Sequence, residues 1–320
     1  MNPFELAERV IATGKGITRD EAAALADLKD LDALCDAADR ICRHFHGDTI
    51  DSCSIVNARS GMCGEDCKWC AQATRYRTGC DTYNFLDDDE VMKAAAINQR
   101  EGIRRFSLVT SGRAVTDRDL DKFCETYRRL SRETNLYLCA SMGLIGREQM
   151  HRLKEAGVKR YHCNMETASS FFPTLCSTHT PDDKKATIRY AKEEEMAVCS
   201  GGIIGMGETM DQRIDFAFEL AELDVDSVPM NILNPIPGTP LAGTPLISEE
   251  DIIRTAAIWR FILPKQSIRF AGGRMRLGKD SMRRILRGGV NGVLMGDMLT
   301  TISNTVADDR MLYAEADWKF

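Results

Sequence analysis

The sequence 52-SCSIVNARSGMCGEDCKWC-70 joins a short β-branched run, Ser52 to Asn57, to a loop that contains Cys63, Cys67 and Cys70. The run has the length and composition of a buried strand. Seven similar runs follow along the chain, at Arg105 to Thr110, Leu136 to Met142, Lys159 to Met165, Ala197 to Ile204, Asp226 to Leu233, Ser267 to Ala271 and Val290 to Met295. The quoted stretch is therefore predicted to hold the first of eight strands.

Helical segments separate these predicted strands. Capping residues and amphipathic spacing predict helices at Asp87 to Gln99, Pro181 to Glu195, Thr209 to Leu223 and Ser248 to Leu263. Parallel strands require a crossover of helix length, so the alternation favours a parallel sheet. An open doubly wound sheet would favour a glycine-rich dinucleotide turn after the first strand, where the chain has none. We therefore predict an α/β protein, specifically a (β/α)8 TIM-type barrel.

Residues 1–46 are predicted to form an N-terminal helical extension. Pro3 opens one amphipathic stretch, Thr18 and Glu21 form a capping box for a second, and Leu31 to Phe45 has helical spacing. Residues 47–320 then form the barrel and a short C-terminal tail. Reactive groups in such barrels lie at the carboxyl ends of the strands and in the loops that follow. The loop after the first strand is accordingly the expected site.

Composition limits the class of protein and of ligand. The 320 residues include 42 basic and 48 acidic side chains, and the net charge of −6 offers no footprint for nucleic acid. Met1 to Thr13 lacks the features of a secretory signal, and no apolar run reaches the roughly 18 residues of a membrane span. We expect a cytoplasmic protein that binds neither nucleic acid nor membrane. In a reducing compartment, its twelve cysteines serve more often as metal ligands, catalytic groups or core residues than as disulfides.

The loop cysteines have the spacing C-x3-C-x2-C. Thiolates are the usual ligands of iron-sulfur clusters, and three of them close together in sequence suit three corners of a 4Fe-4S cluster. The fourth iron then stays open for a small chelating ligand. A structural zinc site would instead require a fourth closed ligand and usually a second pair of cysteines at matching spacing. The loop therefore favours an iron-sulfur cluster held by Cys63, Cys67 and Cys70.

These motifs resemble those of the biotin synthase family within the radical S-adenosylmethionine (SAM) enzymes. The cysteine run, with an aromatic Trp69 before its last cysteine, is similar to the signature of the superfamily. Further blocks resemble biotin synthases, in order, between about Cys53 and Thr301. They are Tyr161 to Thr167, Cys199 to Thr209, Ser227 to Asn231, Gly238 to Leu241 and Ile268 to Arg274. The cysteine run alone indicates the superfamily, and the other blocks narrow the resemblance to the family.

The resemblance implies sulfur insertion into dethiobiotin to form biotin. SAM would bind the open iron and be cleaved to a 5'-deoxyadenosyl radical, which would take hydrogen atoms from two carbons of dethiobiotin. An auxiliary iron-sulfur cluster would supply the sulfur. A reducing partner such as flavodoxin or ferredoxin, and a homodimer, are also implied. The alternatives are a related radical SAM mutase or hydrogenase-maturation-type enzyme that inserts no sulfur, and a non-catalytic iron-sulfur or zinc-binding scaffold.

Five residues match positions that contact SAM in the family. Asn164 and Glu166 match the ribose-binding pair, with glutamate where aspartate is common, and their spacing of two on a strand places both on one face. Ile203 matches a residue that packs on adenine, and Trp69 lies within the SAM-binding loop. Lys184 stands where an arginine near the SAM carboxylate is usual.

Two further residues match positions that contact dethiobiotin. Asn231 matches an asparagine that hydrogen-bonds the ureido ring, and an amide suits a cyclic urea because it offers both a donor and an acceptor. His162 falls where a second asparagine is usual, and it is expected to donate to the ureido oxygen. A satisfied core histidine is the alternative interpretation of His162.

The auxiliary cluster is where the chain departs from the family. The family holds a two-iron cluster with three cysteines and an arginine, and Cys139, Cys199 and Arg269 match three of these ligands. Ser107 stands where the third cysteine is expected, and a serine oxygen is a poor ligand for iron-sulfide chemistry.

Cys53 on the first strand and Cys163 on the fourth are the candidates to replace the missing ligand. Strand alternation points Cys163 away from the face of Asn164 and Glu166, so Cys53 is favoured. We therefore predict Cys53, Cys139 and Cys199, with Arg269 as a ligand or a neighbouring charge, and either a two-iron or a four-iron cluster. The remaining cysteines are predicted to be mostly packing residues: Cys35, Cys42, Cys80, Cys124, Cys163 and Cys176.

Overall fold

A computed structural model describes residues 1–295 and 306–320. Its strands are β1 (Asp51–Arg59), β2 (Arg105–Thr110), β3 (Tyr137–Ser141), β4 (Arg160–His162), β5 (Ala197–Cys199), β6 (Gly202–Ile204), β7 (Ser227–Ile232), β8 (Ser267–Phe270) and β9 (Gly292–Leu294). Its helices are α1 (Pro3–Thr13), α2 (Arg19–Ala26), α3 (Leu31–His46), α4 (Asp88–Arg100), α5 (Asp117–Glu133), α6 (Arg147–Glu155), α7 (Pro181–Glu193), α8 (Met210–Glu222), α9 (Glu249–Ile262), α10 (Lys279–Leu286) and α11 (Val306–Glu315). The final part of the family resemblance, up to Thr301, lies outside the described residues.

The strands form one closed parallel sheet in the order β5-β4-β3-β2-β1-β9-β8-β7-β6, with β5 also paired to β7. Helices α4 to α11 alternate with the strands along the chain, so the predicted (β/α)8 barrel is confirmed. One predicted strand differs, because the run from Ala197 to Ile204 forms β5 and β6 with a break at Ser200 and Gly201. The break has a local cause: Gly201 N–H donates to the Asn164 side chain at 3.1 Å instead of continuing a strand ladder.

The N-terminal helices begin as their capping residues predict. Asn2 caps α1 ahead of Pro3, and Thr18 and Glu21 form both hydrogen bonds of a capping box at α2. Helix α3 packs on α1 and on α9, while α2 packs on α8 and α9. The extension therefore covers one side of the barrel's helical layer. Its separation from the barrel at residue 46 stays a prediction.

A buried arginine fixes the end of the barrel where β8 begins. Arg260 on α9 is fully buried and donates from Nε to Gly289 O at 2.7 Å and from Nη2 to Asn291 Oδ1 at 2.8 Å. The same Asn291 oxygen accepts from the backbone N–H of Ile268 at 3.0 Å. These bonds hold the first residues of β8 and so set the position of Arg269, the next residue along. No helix within the described ranges has both the length and the apolar composition needed to cross a bilayer.

Candidate active site in the barrel

A cavity of about 360 Å3 occupies the barrel. The strands contribute its floor and sides, and the loop after β1 contributes its upper wall. All the predicted cluster ligands line it, as do most of the predicted SAM and substrate residues: Cys53, Cys63, Cys67, Trp69, Cys70, Cys139, His162, Asn164, Glu166, Lys184, Cys199, Asn231 and Arg269. The structure therefore brings together residues that span more than 200 positions of sequence.

The cysteine loop curls back on itself above the cavity. Cys63 N–H donates to Gln72 O at 3.1 Å, and Cys63 O accepts from Thr74 N–H at 2.9 Å. Within the curl, Cys70 N–H donates to Cys67 O at 3.0 Å. These backbone bonds leave the side chains of all three cysteines on the cavity wall. Three thiols on one wall fit three corners of a cubane cluster.

An apolar cluster lies beside the loop cysteines. Trp69 and Ile203 pack in it against Leu175, Met206 and Leu233, which are almost fully buried. Trp69 belongs to both this cluster and the cavity wall, whereas Ile203 belongs to the cluster but not to the cavity lining. A flat, apolar ring such as adenine fits against a surface of this kind.

Asn164 and Glu166 both face the cavity, but for a different reason from the one predicted. Strand β4 ends at His162, so alternation along a strand does not set their directions. Glu166 has a left-handed backbone, with φ of 76°, and its backbone pairs with Gly202. Asn164 Nδ2 donates to Glu166 Oε2 at 3.3 Å. Burial raises the pKa of Glu166, and the nearby buried Lys184 opposes that rise.

His162 and Asn231 line the cavity from β4 and β7, two strands that both pair with β5. Burial lowers the pKa of His162 to about 4, so its ring is neutral at pH 7 and offers one donor and one acceptor. Asn231 is held by its own amide: Nδ2 donates to Gly202 O at 3.0 Å, and Oδ1 accepts from Gly272 N–H at 2.9 Å. Nδ2 therefore keeps a second hydrogen, and Oδ1 a second lone pair, for a ligand.

Cys53, Cys139 and Cys199 lie together on the floor of the cavity, close to Arg269. Cys139 is flanked in the sheet by Ser107 of β2, and Cys199 by His162 of β4. Burial raises the pKa of the Cys53 thiol, and the guanidinium of Arg269 opposes this effect. Burial likewise raises the pKa of Cys139, to which the thiols of Cys53 and Cys199 contribute. The three thiols are therefore close enough for the charge of one to affect the pKa of another.

The floor also carries two arginines that the sequence did not single out, Arg105 and Arg160. Asp51 accepts from Arg105 Nε at 2.8 Å and from Arg269 Nη2 at 2.7 Å. Arg160 is 7% exposed, and its Nε and Nη1 groups have no hydrogen-bond partner among residues 1–295 and 306–320; the same is true of Arg269 Nε and Ser107 Oγ. Buried donors without acceptors are costly, so these groups fit an anionic, acceptor-rich occupant such as an iron-sulfur cluster.

Cys163 requires a correction. It was expected to point away from the cavity, yet it both packs in the core around the barrel and contributes to the cavity lining. Its thiol interacts electrostatically with Lys184 and Glu166 rather than with Arg269 or the floor cysteines. Strand alternation does not set the direction of Cys163, because β4 ends at His162. The surroundings of Cys163 still differ from those of Cys53.

Cys176 is not a simple packing residue either. Its sulfur lies 3.8 Å from Cys67 Sγ and 3.4 Å from His179 Nδ1. The hydrogen bond between the thiols lowers the pKa of Cys176 to about 6 and raises that of Cys67. The sequence signal for this contact is weak, since 109 residues separate the two cysteines.

Two family models match the chain. The model for the Radical SAM superfamily matches residues 59–220, and the model for the Biotin and Thiamin Synthesis associated domain matches residues 229–319. The first match contains the three loop cysteines, Cys139 and Cys199, and the second contains Arg269. Each match thus contributes residues to the floor of the same cavity, while Cys53 precedes both matched ranges.

Curated relatives match nearly the whole chain. The biotin synthase of Porphyromonas gingivalis is 48% identical over 312 residues, which is 98% of this chain and 94% of the relative. The biotin synthase of Acetivibrio thermocellus is 47% identical over 310 residues, with 97% of each chain covered. A crystal structure of a methylornithine synthase superposes with a TM-score of 0.86 at 20% identity, covering 98% of this chain and 96% of that one. At that identity the structural likeness supports the fold alone.

Glycine at position 202 is predicted to be required for the position of Glu166. A Cβ added at Gly202 would lie 2.1 Å from Glu166 O, which is backbone and has little room to move. We expect Gly202→Ala to lower the free energy of unfolding by about 2 kcal/mol, as overpacking does. Gly243→Ala is the matched control, since nothing lies within 4 Å of its added Cβ. Denaturant unfolding measures both, and equal stability of the two variants would contradict the prediction.

Proposed function

The chain belongs to the biotin synthase family of radical SAM enzymes, and we propose on that basis how its cavity inserts sulfur into dethiobiotin to form biotin. Family membership implies a SAM-binding 4Fe-4S cluster, SAM and an auxiliary iron-sulfur cluster. When bound, these groups supply a carbon-centred radical and the inserted sulfur. The observation that carries the proposal is the presence of two separate sets of three cysteines on the walls of one closed barrel cavity.

The upper set is proposed to hold the SAM cluster. Backbone bonds of the curled loop position Cys63, Cys67 and Cys70 on the cavity wall, and these three thiolates would hold a 4Fe-4S cluster that could bind the amine and carboxylate of SAM. Lys184, buried on α7, places a positive charge next to Glu166 and the cavity, and so suits a ligand carboxylate. A lysine provides a point charge without the two-pronged geometry of an arginine.

The walls next to the loop are proposed to hold the nucleoside part of SAM. Glu166 accepts from Asn164 and faces the cavity, and a carboxylate with a neighbouring amide suits the two hydroxyls of a ribose. Trp69 and Ile203 provide the apolar surface for adenine. The closed barrel also keeps water and stray hydrogen donors from a reactive carbon centre, which protects the substrate reaction.

Dethiobiotin is proposed to lie between the two sets of cysteines. Neutral His162 and the amide of Asn231 offer donors and acceptors to the ureido ring from β4 and β7. This placement puts the substrate between the SAM site above and the floor cysteines below. A carbon that loses hydrogen on one side then faces a sulfur source on the other.

The floor set is proposed to hold the auxiliary cluster, with Cys53 in place of the ligand lost at Ser107. The thiol of Cys53 interacts with Arg269 both as a hydrogen-bond partner and by its charge, the thiol of Cys199 interacts with Arg269 by its charge, and Cys139 completes the set. These three thiolates would hold either a four-iron cluster or, together with Arg269, a two-iron cluster, and either cluster would supply the inserted sulfur. Arg160, with its unpartnered N–H groups, is proposed to donate hydrogen bonds to the sulfides.

Three features of the working enzyme complete the proposal. A one-electron reductant such as flavodoxin or ferredoxin supplies the electron for SAM cleavage. The chain works as a homodimer, and it works in the cytoplasm. These points rest on the resemblance to the family and on the composition of the chain, in which no apolar run reaches the length of a membrane span.

Turnover tests the proposed function directly. The anaerobic chain, given SAM, a low-potential reductant and dethiobiotin, is expected to form biotin with two molecules of 5'-deoxyadenosine for each biotin, since two C–H bonds are broken. Mass spectrometry measures both products. Cleavage of SAM without biotin would favour a related radical SAM enzyme that inserts no sulfur, and absence of SAM cleavage would favour a non-catalytic scaffold.

The assignment of Cys53 is tested by exchanging cysteine between two positions. Cys53→Ala is expected to lose the auxiliary cluster while keeping the SAM cluster, and adding Ser107→Cys is expected to restore it, because Ser107 lines the floor directly beside Cys139 on the neighbouring strand. Mössbauer spectra and iron content of anaerobically purified protein measure the outcome. Cys124→Ala, a buried cysteine on α5, is the control. Retention of both clusters in Cys53→Ala, together with loss of one in Cys163→Ala, would assign the ligand to Cys163 instead.

A further inference from the structure

A group of metal-binding side chains lies beside the cysteine loop and apart from the floor cysteines, and two of its members, Cys67 and His179, line the barrel cavity. Cys67, Cys176 and His179 each offer one ligand atom, and these atoms all lie within 4.8 Å of one another. Cys176 and His179 are buried, while Cys67 is partly exposed. The proposed function assigns a role to Cys67 alone, so Cys176 and His179 are left without one.

The spacing of the two sulfurs matches that of ligands on one metal ion. Thiolates bound at about 2.3 Å to a tetrahedral ion lie about 3.8 Å apart, and a thiolate and an imidazole nitrogen lie about 3.5 Å apart. Cys67 Sγ and Cys176 Sγ are separated by 3.8 Å. Cys176 Sγ lies 3.4 Å from His179 Nδ1 and 3.9 Å from Nε2. A small rotation of the imidazole therefore brings all three atoms to bonding distance of one ion.

Neighbouring carboxylates orient the two buried ligands. Glu65 contacts His179 at Nδ1 and accepts from Thr178 Oγ1 at 2.7 Å, which leaves Nε2 as the metal-binding nitrogen. A carboxylate behind a histidine ligand is a common support in metal sites. Asp66 Oδ1 accepts from the backbone N–H of Ser177 at 2.9 Å and thereby fixes the turn that carries Cys176. Both supporting residues lie within the cysteine loop itself.

We infer that, in the chain without its SAM cluster, Cys67, Cys176 and His179 bind one divalent transition-metal ion. Two thiolates and an imidazole select ions such as Fe2+, Co2+ or Zn2+ over the hard ions Mg2+ and Ca2+. Because Cys67 is shared, the ion and the SAM cluster exclude each other. The site places an incoming Fe2+ ion against a cluster ligand before the cluster is built. Only this exclusion rests on the proposed role of Cys67, and binding of the ion does not depend on biotin formation.

Cobalt provides the test, because thiolate-to-cobalt charge transfer and the visible bands of tetrahedral Co2+ report the ligands directly. The full chain carrying Cys63→Ser and Cys70→Ser, which removes two cluster ligands but keeps the proposed site, is titrated anaerobically with Co2+. We expect Cys176→Ser or His179→Gln in this background to weaken the binding of one equivalent of Co2+ at least tenfold and to remove the charge-transfer band of that ion. The floor cysteines are present in every variant, so any Co2+ that they bind contributes equally to each titration.

Matched controls are Cys124→Ala, buried on α5, and His151→Gln, exposed on α6. Both are expected to bind Co2+ like the parent. Unchanged number, affinity and spectrum of bound Co2+ in Cys176→Ser and His179→Gln would overturn the inference. Thermal unfolding checks that each variant folds, and Cys67→Ser replaces Cys176→Ser if the latter does not. In the unsubstituted chain with its SAM cluster rebuilt, this equivalent of Co2+ is expected to be absent, and its persistence would contradict the shared ligand.

Discussion

Positive charge buried at the floor of the barrel is the constraint on which the rest of the site depends. Three guanidinium groups, those of Arg105, Arg160 and Arg269, converge there with Asp51 as the carboxylate that binds two of them. Unpaired charge is costly where the side chains are buried, as Arg160 and Arg269 are, and unpartnered N–H groups add to that cost. Ionised thiolates carrying a cluster rich in sulfide would balance the charge and accept the free hydrogen bonds. The floor is therefore built for an anionic occupant rather than for a neutral substrate alone.

The barrel explains how these groups meet. Arg160 lies beside Cys139 in the register of β3 and β4, and Arg269 belongs to β8, whose start is held by the network around Arg260. The wall of the cavity beside Glu166 depends on a different contact, the close approach of Gly202 to the backbone of Glu166. The hydrogen-bonded floor and this closely packed wall thus border the cavity on two sides.

Much of this arrangement follows from the sequence, and the exceptions have physical causes. The alternation of β-branched runs and capped helices predicts the barrel, and the spacing of Cys63, Cys67 and Cys70 predicts a cluster loop. Family resemblance identifies residues that the structure gathers in one cavity, although their individual roles stay predictions. Arg160 has no such signal, because a single arginine in a strand is as compatible with the surface as with the interior. Its meaning comes only from burial and from the missing partners of its N–H groups.

A periodic sequence pattern also does not predict the directions of side chains that follow the end of a strand. Strand β4 is short, so Cys163 and Glu166 take directions that alternation does not give, and the left-handed backbone of Glu166 depends on contacts with β6.

The most direct test for the two clusters is iron anomalous diffraction from an anaerobically grown crystal. Two iron peaks are expected, one beside Cys63, Cys67 and Cys70 and one among Cys53, Cys139 and Cys199. Iron at the loop alone, with an ordered floor lacking iron, would contradict the presence of two clusters.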